Sequence, residues 1–352
     1  MERATISIGV VGSGFMGRTH AEAARRAPGA TLTAIAGGTR AAGLASDYEI
    51  QCEPTVSALI ERNDIDAIVI STPHHLHYEA AMLAAENGKH CLVEKPLATS
   101  VEHCDEMIEA FKATQLALAV GYHQRFRQSN QTVRQLIGQG AIGKVRCIQM
   151  SALFDITALR DNEGFGGNWD WWTDPESRGH IMNSAPHNID LCRWWIGSDV
   201  VSVAALCGTF REDNPNENTT MALWSFGDGT MASFWSSSVL PVPGFEDQDF
   251  KFRLMGDEGI IDASPFGKIR LGKEGQWEDV YQQPAVPLDD PDRAFVATER
   301  MQAYRDQMQA FVDRIRGADS ICGTALDGRH AVAAIVAMLD ASATEQVVRV
   351  AE

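Results

Sequence analysis

The chain contains no apolar run near the roughly 20 residues that a bilayer-spanning helix needs, so a membrane-spanning protein is not expected. It is also short of positive charge: 30 lysines and arginines stand against 47 aspartates and glutamates, a formal charge of −17 at pH 7. Nucleic acids and anionic membrane surfaces are bound by basic patches that displace counterions, so neither partner is expected, although a local pocket for an anionic ligand stays open. Cysteine is sparse in pattern as well as in number. The seven, at 52, 91, 104, 147, 192, 207 and 322, are odd in number, scattered and without a C-x-x-C pair. Several lie in apolar runs, as buried free thiols do. Structural disulfides and zinc are therefore not expected, and a reducing cytoplasm is. The opening "MERATISIGVVGSG" lacks the charged, apolar and cleavage-site regions of a secretory signal and enters a strand at once. Internal repeats and low-complexity linkers are lacking too.

What remains is an ordinary globular composition, 45% hydrophobic and 22% charged over 352 residues, enough for two domains or one large one. Up to about residue 121, strands alternate with helices. "TISIGVVG" (Thr5–Gly12) is a near-continuous β-branched run, the mark of a strand buried on both faces. "ATLTAIAG", "DAIVIST", "HCLVEK" and "LALAVGY" continue the series, separated by helical patterns that end at Pro28 or at Asn87–Gly88, or that begin at a Ser100 cap. Such spacing implies βαβ units and a parallel sheet. After about residue 125 the pattern changes: a helix, a strand "GKVRCIQMSALF", a Trp- and Gly-rich loop, a helix "NIDLCRWWIG", then alternating strands between turn signals. The expected fold class is α/β, with a Rossmann domain over residues 1–124. An α+β domain with a large, mainly antiparallel open sheet should follow over 125–352, its final helix at about 325–344 being able to pack back on the first domain.

"GSGFMG" places Gly12, Gly14 and Gly17 in the G-x-G-x-x-G spacing between a buried strand and a helix. That context, not the glycines alone, points to a dinucleotide site. Gly12 permits the tight turn, Gly14 lets a pyrophosphate approach the backbone, and Gly17 lets helix and strand pack closely. The N–H groups of Phe15 and Met16 would face the phosphates at the positive helix end. Where a NAD-binding chain carries an acid for the ribose 2′-hydroxyl, this one reads "AIAGGTRAA". Gly37 leaves space with Gly38, the Thr39 hydroxyl can donate, and Arg40 offers a fork suited to a phosphate. This favours NADP over NAD, although Arg40 can also be the solvated first turn of the next helix. Ser71, Thr72 and Pro73 lie at a strand end where open α/β sheets place ligands. The following His74, His75 and His77 suggest a metal cluster at first sight, but their spacing puts His75 and His77 off one helix face. His74 and His77 are expected as cofactor-side or helix-start residues, with no metal.

"CLVEKPL" ends an apolar run on Glu94 and Lys95 before Pro96. A solvated ion pair is the plain alternative to a lysine working in a pocket. With the glycine loop, "STPHHLHYEAA" and "EKPLA" in order, and "GYHQRFR", "IGKV", "HNIDLCRWWIG" and "LDGRHAVAAIVAMLDAS" beyond them, the chain resembles the Gfo/Idh/MocA family of NAD(P)-dependent oxidoreductases over nearly its whole length. The resemblance implies that Lys95 reaches the reacting substrate oxygen and the nicotinamide ribose, that the Lys–Pro bond is cis, and that Glu94 steadies the site beside the cofactor. A cation near a developing alkoxide favours loss of the hydroxyl proton in oxidation and donates to the carbonyl oxygen in reduction.

The family's D-x-G-x-H pattern falls on "NSAPH", where His187 matches the acid/base histidine, Asn183 replaces the aspartate and Ala185 the glycine. An unperturbed imidazole titrates near 6.5, so a histidine at this position can accept a hydroxyl proton at neutral pH. Asn183 cannot titrate; it can hold a substrate hydroxyl or orient the imidazole, which leaves proton transfer to His187 and Lys95. The alternative for His187 is a core histidine at a helix start. In "NWDWWTDPESRGH", Trp169, Trp171 and Trp172 can stack on a sugar ring, and Asp170, Arg178 and His180 can bind hydroxyls. Clustered tryptophans also bury themselves in cores and subunit interfaces. His123 and Arg125 follow a strand end and are expected in the pocket.

The implied activity is hydride transfer between NAD(P) and a secondary alcohol or ketone carbon of a sugar, inositol or related polyol. A homodimer or homotetramer through the second domain's sheet goes with it. Two rivals share the cofactor: redox-neutral glycoside cleavage through transient oxidation and elimination, and a non-catalytic dinucleotide-binding regulator. Intact Lys95 and His187 argue against the second.

Overall fold

The computed structural model describes residues 5–155, 174–210, 216–245, 250–285 and 295–351. Their contacts group into two compact units.

The first unit opens with β1 (Ile6–Val11), α1 (Phe15–Arg26), β2 (Ala30–Ala36), α2 (Ala41–Asp47), β3 (Gln51–Cys52) and α3 (Val56–Ile60). It continues through β4 (Ala67–Ile70), α4 (His77–Glu86), β5 (His90–Val93), α5 (Val101–Ala113) and β6 (Leu118–Val120). β1 pairs in parallel with β2 on one side and β4 on the other, and β4, β5 and β6 follow in parallel register. The strands are apolar without alternation because both faces are covered: Ile8, Val10, Val11, Ile68, Val69, Ile70, Leu92 and Val93 have no exposed surface. The Ser100 side chain caps α5 by accepting from the His103 N–H, as the sequence pattern indicates. The chain leaves β1 toward β2 on one side of the sheet and returns to build β4 on the other. The carboxyl ends of β1 and β4 therefore flank a switch point where α/β sheets bind ligands.

The second unit starts with α6 (Gln128–Gly138), β7 (Val145–Leu153), α7 (Gly179–Ile196), β8 (Val200–Gly208), β9 (Thr219–Phe226) and β10 (Met231–Ser237). β11 (Phe250–Gly256), β12 (Ile260–Ala263), β13 (Lys268–Lys273) and β14 (Gln276–Gln282) complete its run of strands. Its nine-stranded sheet is antiparallel except for the parallel β7–β10 pair. Alternation is strict in β9: Thr220, Ala222, Trp224 and Phe226 point inward, and Met221 and Leu223 outward. Helices cover the inner face. Trp195 of α7 meets Phe252 edge-on at 4.9 Å and donates its indole N–H to Asn130 O of α6 at 3.0 Å.

The division is not a single cut near residue 125. The chain returns to the first unit with α8 (Thr298–Ile315) and β15 (Gly323–Thr324), which adds antiparallel to β6. Tyr304, Met308 and Phe311 of α8 join Ala23 and Ala24 of α1 and the capping Ala27 in one buried cluster. The small residues of α1 let α8 approach, a pairing that local periodicity cannot reveal because it spans most of the chain. The last helix, α9 (Ala325–Thr344), belongs to the first unit only in its first turn. From His330 on it lies with the second sheet, where Met338 Sδ accepts from the Trp224 indole at 3.1 Å and Ser342 Oγ from Cys207 N at 2.8 Å. β16 (Val348–Arg349) then pairs with β8 at the sheet edge.

Candidate active site

The loops at the carboxyl ends of β1, β4 and β5 are tied to one another by backbone bonds. Gly12 N donates to Ala36 O at 2.8 Å, Ser71 N to Val11 O at 2.8 Å, and Glu94 N to Ile70 O at 2.8 Å. Gly12 has φ +105°, and a Cβ there would lie 2.6 Å from Ser71 O; a Cβ on Gly17 would lie 2.1 Å from Gly12 O. Both positions need glycine, one for its conformation and one for close approach. At Gly14, the helix N-cap, an added Cβ would meet only Arg40 Nη2, at 3.9 Å. That leaves an open cradle before the first turn of α1, where the Phe15 and Met16 N–H groups lie and no acidic residue opposes an anion. Thr72 Oγ1 is buried with no hydrogen-bond partner among the described residues. An open glycine cradle, a helix start and an orphaned hydroxyl at the next strand end together fit a dinucleotide. Gly37, Thr39 and Arg40 follow β2; Thr39 and Arg40 are exposed, and Arg40 N donates to Ser13 Oγ at 3.2 Å.

Lys95 leaves the end of β5 half-buried, with the Lys95–Pro96 bond cis. Burial holds its ammonium below the ordinary lysine pKa, against the opposing charge of Glu94. The Lys95 N–H donates to Glu94 Oε2 at 3.1 Å, and Glu94 Oε1 lies 2.7 Å from His20 Nε2. A carboxylate only accepts, so this imidazole nitrogen carries the proton. Glu94 is thus a buried, internally bonded carboxylate and not a solvated partner of Lys95. His77 is fully buried, with Nδ1 at 2.8 Å from Pro96 O and Nε2 at 3.0 Å from Thr72 O. Both ring nitrogens face backbone carbonyls, and a neutral ring has one N–H to give to one of them at a time. His74 is buried with its ring edge-on to His77 at 6.0 Å. Among the described residues, no group of three or more His, Cys, Asp or Glu is placed to hold a metal ion.

In the second unit, Asn183 and His187 lie four residues apart on α7, both half-buried, so they share one helix face. The helix begins at Gly179, not near Asn188, and carries Pro186 inside it; His187 is therefore mid-helix and not at a helix start. Arg178 precedes it in the left-handed region at φ +57°. Glu217 accepts from the Ile181 N–H at 2.5 Å, which satisfies part of the helix start. His180 is not a hydroxyl binder in waiting: it is buried, with Nε2 at 2.6 Å from Ser236 Oγ.

The two pocket candidates after β6 are spent inside the first unit. His123 is buried and stacked on Tyr304, with ring centroids 4.2 Å apart. Arg125 is buried and paired with Asp327 at 3.0 Å. Trp169, Asp170, Trp171 and Trp172 lie outside the described residues. Sequence reasoning missed His20, whose only signal was an imidazole on the inward stripe of α1, and Glu217, which carried none.

A doubly wound parallel sheet with a glycine loop and an orphaned hydroxyl at its switch point defines a dinucleotide-binding enzyme half. Residues 6–122 match the Gfo/Idh/MocA oxidoreductase family, NAD-binding Rossmann fold, and residues 130–262 match that family's C-terminal domain. The chain belongs to the Gfo/Idh/MocA oxidoreductases. It is 26% identical to inositol 2-dehydrogenase of Rhizobium meliloti over 94% of each chain. It is also 26% identical to 1,5-anhydro-D-fructose reductase of Ensifer adhaerens over 96% of each. A solved levoglucosan dehydrogenase, in complex with NADH and levoglucosan, shares the fold with a TM-score of 0.81 at 22% identity, covering 99% of this chain and 100% of that one.

Proposed function

We propose that this oxidoreductase moves a hydride between NAD(P) and a secondary alcohol or ketone carbon of a sugar, inositol or related polyol. The carrying observation is Lys95: a half-buried ammonium at the end of β5, with its backbone held by a buried carboxylate beside the switch-point loop. When bound, the nicotinamide ring gives or takes the hydride. Gly12, Gly14 and Gly17 with the start of α1 would hold the pyrophosphate, and Ser71, Thr72 and Pro73 would line the cleft beside it. Lys95 would bind the reacting oxygen and stabilise its negative charge, and a depressed pKa makes it the better proton donor to that oxygen. His187 would take or return the hydroxyl proton, with Asn183 on the same helix face orienting the imidazole or holding a neighbouring hydroxyl. The substrate class is supported by relatives named for inositol, anhydrofructose and levoglucosan.

At the 2′ position we propose NADP, supported by Arg40 beside the glycine loop and the missing acid after β2. A homodimer or homotetramer would bury the outer face of the second sheet, where Leu206, Met221, Leu223 and Met231 are each more than half exposed. Residence in the cytoplasm is supported by seven free cysteines and by the lack, among the described residues, of any helix long and apolar enough to cross a membrane.

The test is a turnover screen on purified protein, with NAD and NADP each offered alongside aldoses, inositols, anhydrosugars and glycosides. Reduction of the nicotinamide that disappears in Lys95→Ala is expected. No turnover on any panel member, together with nucleotide released only on denaturation, would overturn the dehydrogenase reading in favour of redox-neutral glycoside chemistry.

A further inference from the structure

Two buried histidines flank Lys95, and the chemistry proposed above assigns a role to neither. His20 and His77 have no exposed surface, although an imidazole buried on a helix face costs desolvation that an apolar side chain of similar size would not. Each reaches a chain neighbour of Lys95 from a different segment, His20 the Glu94 carboxylate and His77 the Pro96 carbonyl. His20 sits on α1, the helix whose first turn faces the phosphates, and donates to Glu94 Oε1 at 2.7 Å; the other Glu94 oxygen takes the Lys95 N–H at 3.1 Å. His77 opens α4 directly after the switch-point loop and stands between Pro96 O at 2.8 Å and Thr72 O at 3.0 Å. The Lys95 N–H is thereby tied through the Glu94 carboxylate to the glycine-loop helix, and the carbonyl of the following Pro96 lies against His77 beside the Thr72 loop.

The details exclude a filler role. His20 Nδ1 is buried without a hydrogen-bond partner among the described residues, so the bond to Glu94 is the polar contact that the ring makes there, beside an edge-on packing against Tyr304 at 6.3 Å. A Cβ on Gly121 would lie 3.0 Å from Glu94 Oε1, so glycine there keeps room for the carboxylate. Burial holds the His77 pKa below the ordinary imidazole value, and a neutral ring has one N–H. It can therefore donate to Pro96 O or to Thr72 O, and not to both at once.

We propose that His20 and His77 are paired positioning residues that set the backbone of Lys95 and transmit occupancy of the nucleotide site to it. The proposal rests on Lys95 being the catalytic cation. A nucleotide that engages the Thr72 loop or the start of α1 would shift the two bonds that hold the lysine. An ångström of misplacement at such a group costs roughly 100-fold in rate.

The test reads Lys95 without needing a substrate. Lysines of the full chain are dimethylated with ¹³C-formaldehyde, and the Lys95 signal is identified by its loss in Lys95→Arg. NADH is expected to move that signal in the unmutated protein. In His20→Leu and His77→Leu the free-protein signal is expected to shift and its response to NADH to fall, while NADH affinity stays within about threefold and kcat drops by roughly 10–100-fold. His77→Gln, whose amide keeps N–H donation, should recover part of both. Should the leucine variants not fold, ¹⁵N-histidine spectra of the unmutated protein decide, with His20 and His77 assigned through glutamine variants. Their ring nitrogens are expected to move with NADH, and immobility overturns the proposal. An unchanged Lys95 signal and NADH response in folded leucine variants also overturns it. Wild-type turnover in Lys95→Ala would instead remove the catalytic reading of the lysine, an outcome the spectra cannot produce.

Discussion

The two sheets bury their residues in opposite ways. In the seven-stranded sheet β4 is buried at every position, Ala67 to Ile70, while in the nine-stranded sheet β9 buries every second residue and leaves Met221 and Leu223 mostly exposed. A sheet covered on both faces has no broad surface left to bind anything, so its chemistry moves to the strand ends, where loops supply backbone N–H groups and isolated polar side chains. A sheet covered on one face leaves a broad apolar surface open, and the chemistry we propose for this unit sits on a covering helix, α7, with Asn183 and His187. Strand ends and an open face are different resources.

The largest effects should come from the chemical groups themselves. His187→Ala is expected to lower kcat by roughly 10²–10⁴, the range for a lost general acid or base. Lys95→Ala should lower it by roughly 10²–10³, as for a lost group that stabilises an oxyanion. Steady-state rates on a substrate found in the screen check both. Wild-type turnover in either variant would mean that its region contributes scaffold and not chemistry. The open face comes next. Leu223→Glu places a charge where an apolar contact between subunits is proposed, and should convert a dimer or tetramer into smaller species in sedimentation. If the unmutated protein already sediments as a monomer at micromolar concentration, the outer face serves something other than self-association. Arg40→Ala tests the strand-end rule at β2: NADPH affinity should fall about 10–100-fold, as for a lost charge-assisted bond, with NADH affinity nearly unchanged. Equal losses for both nucleotides would leave the arginine without a phosphate to hold.

What was legible in the sequence follows the same contrast. Continuous β-branched runs such as "ISIGVV" announce strands buried on both faces, and alternation such as "TMALWSF" announces strands covered on one. The glycine loop was legible because its spacing coincides with a strand–helix junction. What escaped depends on contacts across long stretches of chain. His20 and Glu94 are 74 positions apart. Arg125 resembled a pocket residue because it follows a strand end, yet it pairs with Asp327, which returns beside it through α8 and β15. The start of α7 was hidden because Gly179 and Pro186 look like breakers. Proline inside a helix costs one hydrogen bond, and the packing of the 18-residue α7 on the sheet outweighs that cost.

The smallest expected effect concerns how that helix is held. Glu217 sits half-buried where α7 begins, accepting from the Ile181 N–H at 2.5 Å and from the Thr220 hydroxyl at 3.3 Å. Gly179 makes room for it, since a Cβ there would lie 2.8 Å from the Glu217 carboxylate. Bonds from the helix N–H groups favour the charged form, but burial outweighs them and pushes the carboxyl up to about 7 from an ordinary 4.5. With the folded-state pKa above the unfolded one, the folded protein binds more protons between those values. The contribution of this group to stability is therefore fully present below about pH 4.5 and is lost as pH rises through about 7. Glu217→Gln, which stays neutral throughout, should flatten the fall of Tm across that window and leave Tm at acid pH nearly unchanged. An equally steep fall in the variant would place the titrating group elsewhere. The α7 start would then be a fixed cap whose strength does not depend on pH, as rigid in its way as the strand ends of the parallel sheet.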